Sequence, residues 1–83
     1  MRPYGQKAPT SAQLAGARAA VGLSVAALAE RSGLGINTIR RAEASGAEVL
    51  TAVNAARLVQ TFEELGVIFL EADGYGPGLR IRN

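Results

Sequence analysis

The sixteen residues LAERSGLGINTIRRAE, Leu28 to Glu43, constrain this chain more than any other stretch. Apolar residues recur at helical spacing as far as Ser32, a glycine follows at 33, and a second helical pattern starts at about Gly35. Leu28 and Ala29 give the first helix a buried side, Gly33 permits a sharp corner, and Ile36 and Ile39 are spaced to hold the second helix against the rest of a domain. Asn37, Thr38, Arg40 and Arg41 are left pointing outward. Such side chains donate to phosphates and base edges, and arginine or asparagine can grip guanine or adenine through two hydrogen bonds at once. Two short helices, a tight turn and a polar second helix make the layout of a helix-turn-helix that places its second helix in the major groove of DNA.

Eighty-three residues make one small domain, near the size at which a single core supplies only a few kcal/mol, so a homodimer is expected. The chain has no cysteine and no histidine, which removes disulfides, thiolate nucleophiles, cysteine-ligated metals and the commonest general base. Glu63-Glu64 and Glu71 with Asp73 read as a helix exterior and a turn rather than a hydrolytic or metal-binding pair, so no enzyme activity, metal or cofactor is expected. The N-terminal MRPYGQK has no apolar core behind its charges, and no stretch approaches the roughly 20 apolar residues of a bilayer span. A soluble, cytoplasmic chain with no membrane partner is expected.

The net charge of +2 is small, but its distribution is uneven. Residues 1–41 carry Arg2, Lys7, Arg18, Arg31, Arg40 and Arg41 against Glu30 alone, a net of +5, whereas residues 42–83 carry a net of −3. The basic half is the half containing the helix-turn-helix.

Residues 1–9, with Pro3, Gly5 and Pro9, lack periodicity and read as a flexible arm, followed by a DNA-binding domain over 10–66 and a hairpin over 67–83. Thr10 and Gln13 have the spacing of a capping box, which starts a first helix running to about Val21 with Leu14, Ala17 and Val21 inward, ended by Gly22. Ser24 caps the second helix, whose apolar residues are Val25, Leu28 and Ala29. The third covers roughly 35–44. After Ser45-Gly46-Ala47 a long helical pattern runs from about Leu50 to Leu65, with Leu50, Val53, Leu58, Phe62 and Leu65 as core and a break within it left open. Val67-Ile68-Phe69-Leu70 and Leu79-Arg80-Ile81-Arg82, separated by turn formers, read as a β-hairpin. Its first strand is apolar on both faces, so one face has the helices and the other calls for a second copy of the chain. Val67, Ile68, Phe69, Leu70, Leu79 and Ile81 are the candidate dimer residues, with the fourth helix the alternative interface.

Leu28-Ala29, Gly33-Leu34, Thr38-Ile39, Arg41 and Glu43 carry a resemblance to the lambda-repressor-like, or XRE-type, helix-turn-helix family, which includes phage repressors and restriction-modification controller proteins. The resemblance spans about the first 65 residues. It implies a mainly α, compact four- or five-helix domain that binds double-stranded operator DNA as a dimer and regulates transcription. Carried onto this chain, the base-reading positions are Ile36, Asn37, Arg40 and Arg41. Phosphate contacts are expected at Ser24, Thr38, Ser45, Gly46, Arg2 and Lys7, the loop at 45–47 being open also to a purely connecting role. The family's pairing of an arginine on the first helix with a glutamate near the end of the third falls on Arg18 and Glu43, which are expected to touch.

The chain departs from the family at Val25, where a glutamine is common, and at Gly35 and Ile36, where polar side chains are usual. Ile36 can touch a thymine methyl or be buried. A leading edge this apolar sustains a competing reading, a helix-turn-helix that binds another regulatory protein, as an antitoxin or anti-activator does. Arg80 and Arg82 read as the solvent face of the hairpin.

Overall fold

In the computed structural model, which describes residues 8–70 and 78–81, the chain is mainly helical and ends in a small antiparallel hairpin. Four α-helices lie among these residues: α1 (Ser11–Val21), α2 (Val25–Ser32), α3 (Ile36–Ser45) and α4 (Ala52–Glu64). A 3-10 turn, Ala47–Val49, sits between α3 and α4, and the strands are β1 (Val67–Leu70) and β2 (Gly78–Ile81).

The first two helices start where short polar side chains can satisfy first-turn amides. Thr10 and Gln13 form the full reciprocal capping box, and the Ser24 hydroxyl accepts from Ala27 N–H. Both helices stop at a glycine in the left-handed region, Gly22 at φ +72° and Gly33 at φ +74°, where a β-carbon would add strain. The chain bends by 96° between α1 and α2. The core these elements enclose is built from Leu14 and Ala17, Leu28 and Ala29, Leu34, Ile39 and Ala42, and Leu58 and Phe62, with Val67 closing it from the hairpin. Alanine at 17, 29, 42, 47 and 55 lets backbones approach closely around the few large side chains.

Three expectations are corrected. Helix four begins two residues later than its apolar pattern, because Thr51 caps it through Asn54 N–H and Leu50 lies outside. Val53 is 67% exposed rather than core: it precedes Phe62 by nine residues, which at about 100° per residue puts it on the opposite side of α4. The arm is shorter than nine residues. Ala8 and Pro9 are buried, and Pro9 carbonyl accepts from Ala47 N–H at 3.0 Å, joining the lead-in of α1 to the exit of α3. Residues 1–7, with Arg2 and Lys7, lie outside the described residues, as do Glu71, Asp73 and Arg82.

The hairpin pairs Val67 with Ile81, Ile68 with Arg80, Phe69 with Leu79 and Leu70 with Gly78. Paired residues share a face, so Val67, Phe69, Leu79 and Ile81 form one side and Ile68, Leu70 and Arg80 the other. The first side packs on the helices: Val67 is fully buried, and Phe69 and Leu79 lie against the core. Val67 is therefore a core residue of the single chain and not available to a second copy. Among the described residues no single helix is long and apolar enough to cross a membrane.

Gln13 ties this hairpin to α1. While its Oε1 accepts from Thr10 N–H at 2.9 Å, its Nε2 donates to the carbonyls of Leu70 at 2.9 Å and Gly78 at 2.7 Å, the two positions facing each other where the strands end. Gln13 is buried, with its side-chain polar atoms partnered, as is true of all buried side-chain polar atoms among the described residues. Glutamate can keep the cap, being equally suited to that position, but has no amide protons to give. Gln13→Glu is expected to cost about 2 kcal/mol at neutral pH by leaving two carbonyls facing a carboxylate. A thermal melt matching the wild type would show that the carbonyl contacts contribute nothing.

Candidate nucleic-acid interface

The helix that carries most of the expected contact residues is amphipathic. With Ile39 and Ala42 fully buried, the opposite side of α3 presents Asn37, Arg40, Arg41 and Ala44, all exposed. Their spacing of three, four and seven residues aligns them along one ridge. Ile36, on the flank of this ridge, is 43% exposed, which resolves the choice left by the sequence: it is not a core residue. Thr38 is half-buried. Gly35 brings no side-chain cap, so the first turn of α3 ends in uncapped amides at the positive end of the helix dipole.

The two arginines on the ridge differ. Arg41 Nη2 donates to Val49 carbonyl at 3.1 Å, fastening the end of α3 to the 3-10 turn that follows. Arg40 makes no side-chain hydrogen bond or ion pair among the described residues, and neither does Arg31 in the last turn of α2. Their donors are directed to solvent.

Of the expected phosphate contacts, Ser24 is exposed at the start of α2. Its oxygen accepts from Ala27 N–H at 3.0 Å, and the hydroxyl proton stays free to donate. Ser45 is exposed at the end of α3. Gly46 is corrected: it is buried and its N–H is committed to Ala42 carbonyl at 2.7 Å, so the backbone donor that a phosphate would need is already used. The next amide, Ala47, is taken by Pro9. A half-open hollow of about 250 Å³ lies beside this junction, lined by Thr10, Ser11, Ser45 and Glu48 among others. Glu48 at its edge makes it a poor receptor for an anion.

The orientation of α3 is set from behind. Arg18 Nε donates to Glu43 Oε2 at 2.6 Å and Nη2 to Oε1 at 3.0 Å, the parallel two-bond fork that guanidinium and carboxylate geometry favours. The third arm, Nη1, donates to Leu23 carbonyl at 3.0 Å, in the corner between α1 and α2. One side chain thus fastens α1 to α3 and to the start of α2. The hydrogen bonds that Arg18 donates to Glu43 hold its guanidinium above the ordinary arginine range, against a smaller opposing effect of desolvation. The stability linked to a raised pKa is complete below the unfolded value and is lost only above the folded one, so Arg18 stays a charged clamp throughout the neutral and mildly alkaline range.

One residue near this surface escaped the sequence reading. Arg57, on α4 and in the acidic half of the chain, has its Nη1 3.6 Å from where a β-carbon on Gly33 would stand, at the corner between α2 and α3. No local signal marks it, since only the packing of α4 against α2 brings them together. Among the described residues no group of three or more acidic side chains is placed to hold a metal ion. No family model, curated protein or solved structure matches this chain.

Proposed function

We propose that the chain is a sequence-specific, double-stranded DNA-binding regulator of transcription, of the lambda-repressor-like helix-turn-helix kind, acting in the cytoplasm as a homodimer on a palindromic operator. The single observation that carries this reading is the exposed ridge of Asn37, Arg40 and Arg41 on a helix whose rear face is locked by Arg18 and Glu43. Donors that can bond two acceptors on one base stand on a rigid element, and Ala44 on the same ridge allows close approach. Ser24, Thr38 and Ser45 flank the ridge with hydroxyls for phosphate. In the dimer, Ile68, Leu70 and Ile81 are the hairpin residues left with apolar surface to share.

Selection of bound duplexes from a random pool at physiological salt tests this. The expected product is a palindrome whose half-site centres lie about one helical turn apart. On that duplex Asn37→Ala and Arg40→Ala should each cost about 1–3 kcal/mol of preference over random DNA, roughly 5- to 150-fold, with little change in random-duplex affinity. No enrichment by folded protein would overturn the proposal. That outcome would favour the second reading, a protein-binding module, to which the exposure of Ile36 at the leading edge of α3 lends support.

A further inference from the structure

We infer that Arg57 is a DNA phosphate contact, reaching from α4 past the corner between α2 and α3 to the backbone that flanks the recognition helix; this rests on the DNA-binding reading above. Its guanidinium lies against Gly33, within 3.6 Å of where that residue's β-carbon would be. Yet it makes no side-chain hydrogen bond or ion pair among the described residues, although the carbonyl end of α2 is beside it. An arginine serving only to close the end of α2 would spend its donors on those carbonyls. This one keeps all five, exposed, at the corner beyond which α3 starts, three residues after Gly33, with Ile36 and Asn37. Gly33, having no side chain, leaves the guanidinium open to solvent on this side. Arg31, exposed and likewise uncommitted, stands two residues before the same corner in the last turn of α2. A phosphate strand is the polyanion that uncommitted guanidinium groups at one corner suit. Since no base edge is needed, the contact adds affinity and register but no sequence preference.

The salt dependence of binding tests this on the full chain, using the selected duplex and a random one between about 50 and 200 mM salt. Removing one phosphate contact makes the log–log slope shallower by about 0.9, a change of roughly 3.5-fold across that range. Arg57→Gln should show this for both duplexes alike, with the ratio of specific to random binding and the melting temperature unchanged. Arg57→Lys should retain the wild-type slope. Arg80→Gln, which removes the same charge from the hairpin face that carries Ile68 and Leu70, should also retain it at a protein concentration where sedimentation shows both variants to be as dimeric as the wild type. An unaltered slope in Arg57→Gln, with or without a lower melting temperature, would overturn the inference, as would an equal loss in Arg80→Gln, which would mean bulk charge alone. If wild-type protein bound neither duplex, the DNA-binding reading would fall and this inference with it; normal wild-type binding with an insensitive Arg57 removes the inference only.

Discussion

Phe62→Ala should leave the chain barely folded at room temperature. Phe62 is fully buried, enters the core from α4, and meets Phe69 of β1 edge to face with ring centroids 5.5 Å apart and planes at 85°. Truncating a buried phenylalanine costs about 3–5 kcal/mol through lost transfer energy and the cavity left behind. Losing an edge-to-face aromatic partner is worth about 0.5–1.5 kcal/mol beyond area. A chain of this length has roughly 4–12 kcal/mol in all at 0.05–0.15 kcal/mol per residue, so this one substitution removes between a third and the whole of it. The core that holds Phe62 is rich in small side chains, which makes partial collapse difficult: Ala17, Ala42 and Ala55 cannot extend to fill space. A melting temperature lowered by at least about 12 °C is expected, read by circular dichroism. A fall of less than about 5 °C would mean that the hairpin and α4 do not depend on this contact for their union.

What could be read in advance follows from how far apart the determinants lie in the chain. α1 and α2 were legible nearly to the residue, because Thr10, Gln13, Ser24, Gly22 and Gly33 act on amides within a few positions of themselves. The start of α4 was not, since Leu50 and Val53 continue an apolar pattern that the Thr51 cap overrides. The second task of Gln13 was invisible: its amide bonds carbonyls 57 and 65 residues away, whereas its place in the capping box is local. Arg57 carries no local signal for the same reason, since only the packing of α4 against α2 brings it to Gly33. Exposure on the ridge of α3 followed from helical period alone, but the state of each arginine did not, as the bond from Arg41 to Val49 depends on how the 3-10 turn folds back. For the hairpin, alternation told which residues were apolar and not which side met the helices. Val67, apolar and so expected at an interface, is instead taken up by the core of its own chain.

The contact of Arg18 with Glu43, expected from resemblance alone, is present, and its energetic and geometric roles can be separated. The two side chains are 26% and 14% exposed, so the pair is partly removed from water. Arg18→Met keeps most of the apolar stem but leaves the Glu43 carboxylate without its partner and Leu23 carbonyl without a donor. Breaking a fully buried pair costs about 3–5 kcal/mol and an exposed one at most about 1, and the partial burial here places the expected loss between them, about 2 kcal/mol. Replacing both partners, Arg18→Met with Glu43→Leu, removes the stranded charge, so the double variant should recover to within about 1 kcal/mol of wild type, the residue being the unpaired Leu23 carbonyl. DNA discrimination should not recover with it. A methionine–leucine contact can slide, whereas the two-bond fork fixes both the distance and the rotation of α3 relative to α1, and displacement of the ridge by even an ångström misplaces donors that need about 2.7–3.2 Å. The expected pattern is near-normal melting with a selected-to-random affinity ratio reduced by at least tenfold. A double variant that is as unstable as Arg18→Met would show that the pair contributes net stability, and one that reads its duplex normally would show that the fork does not set the position of α3.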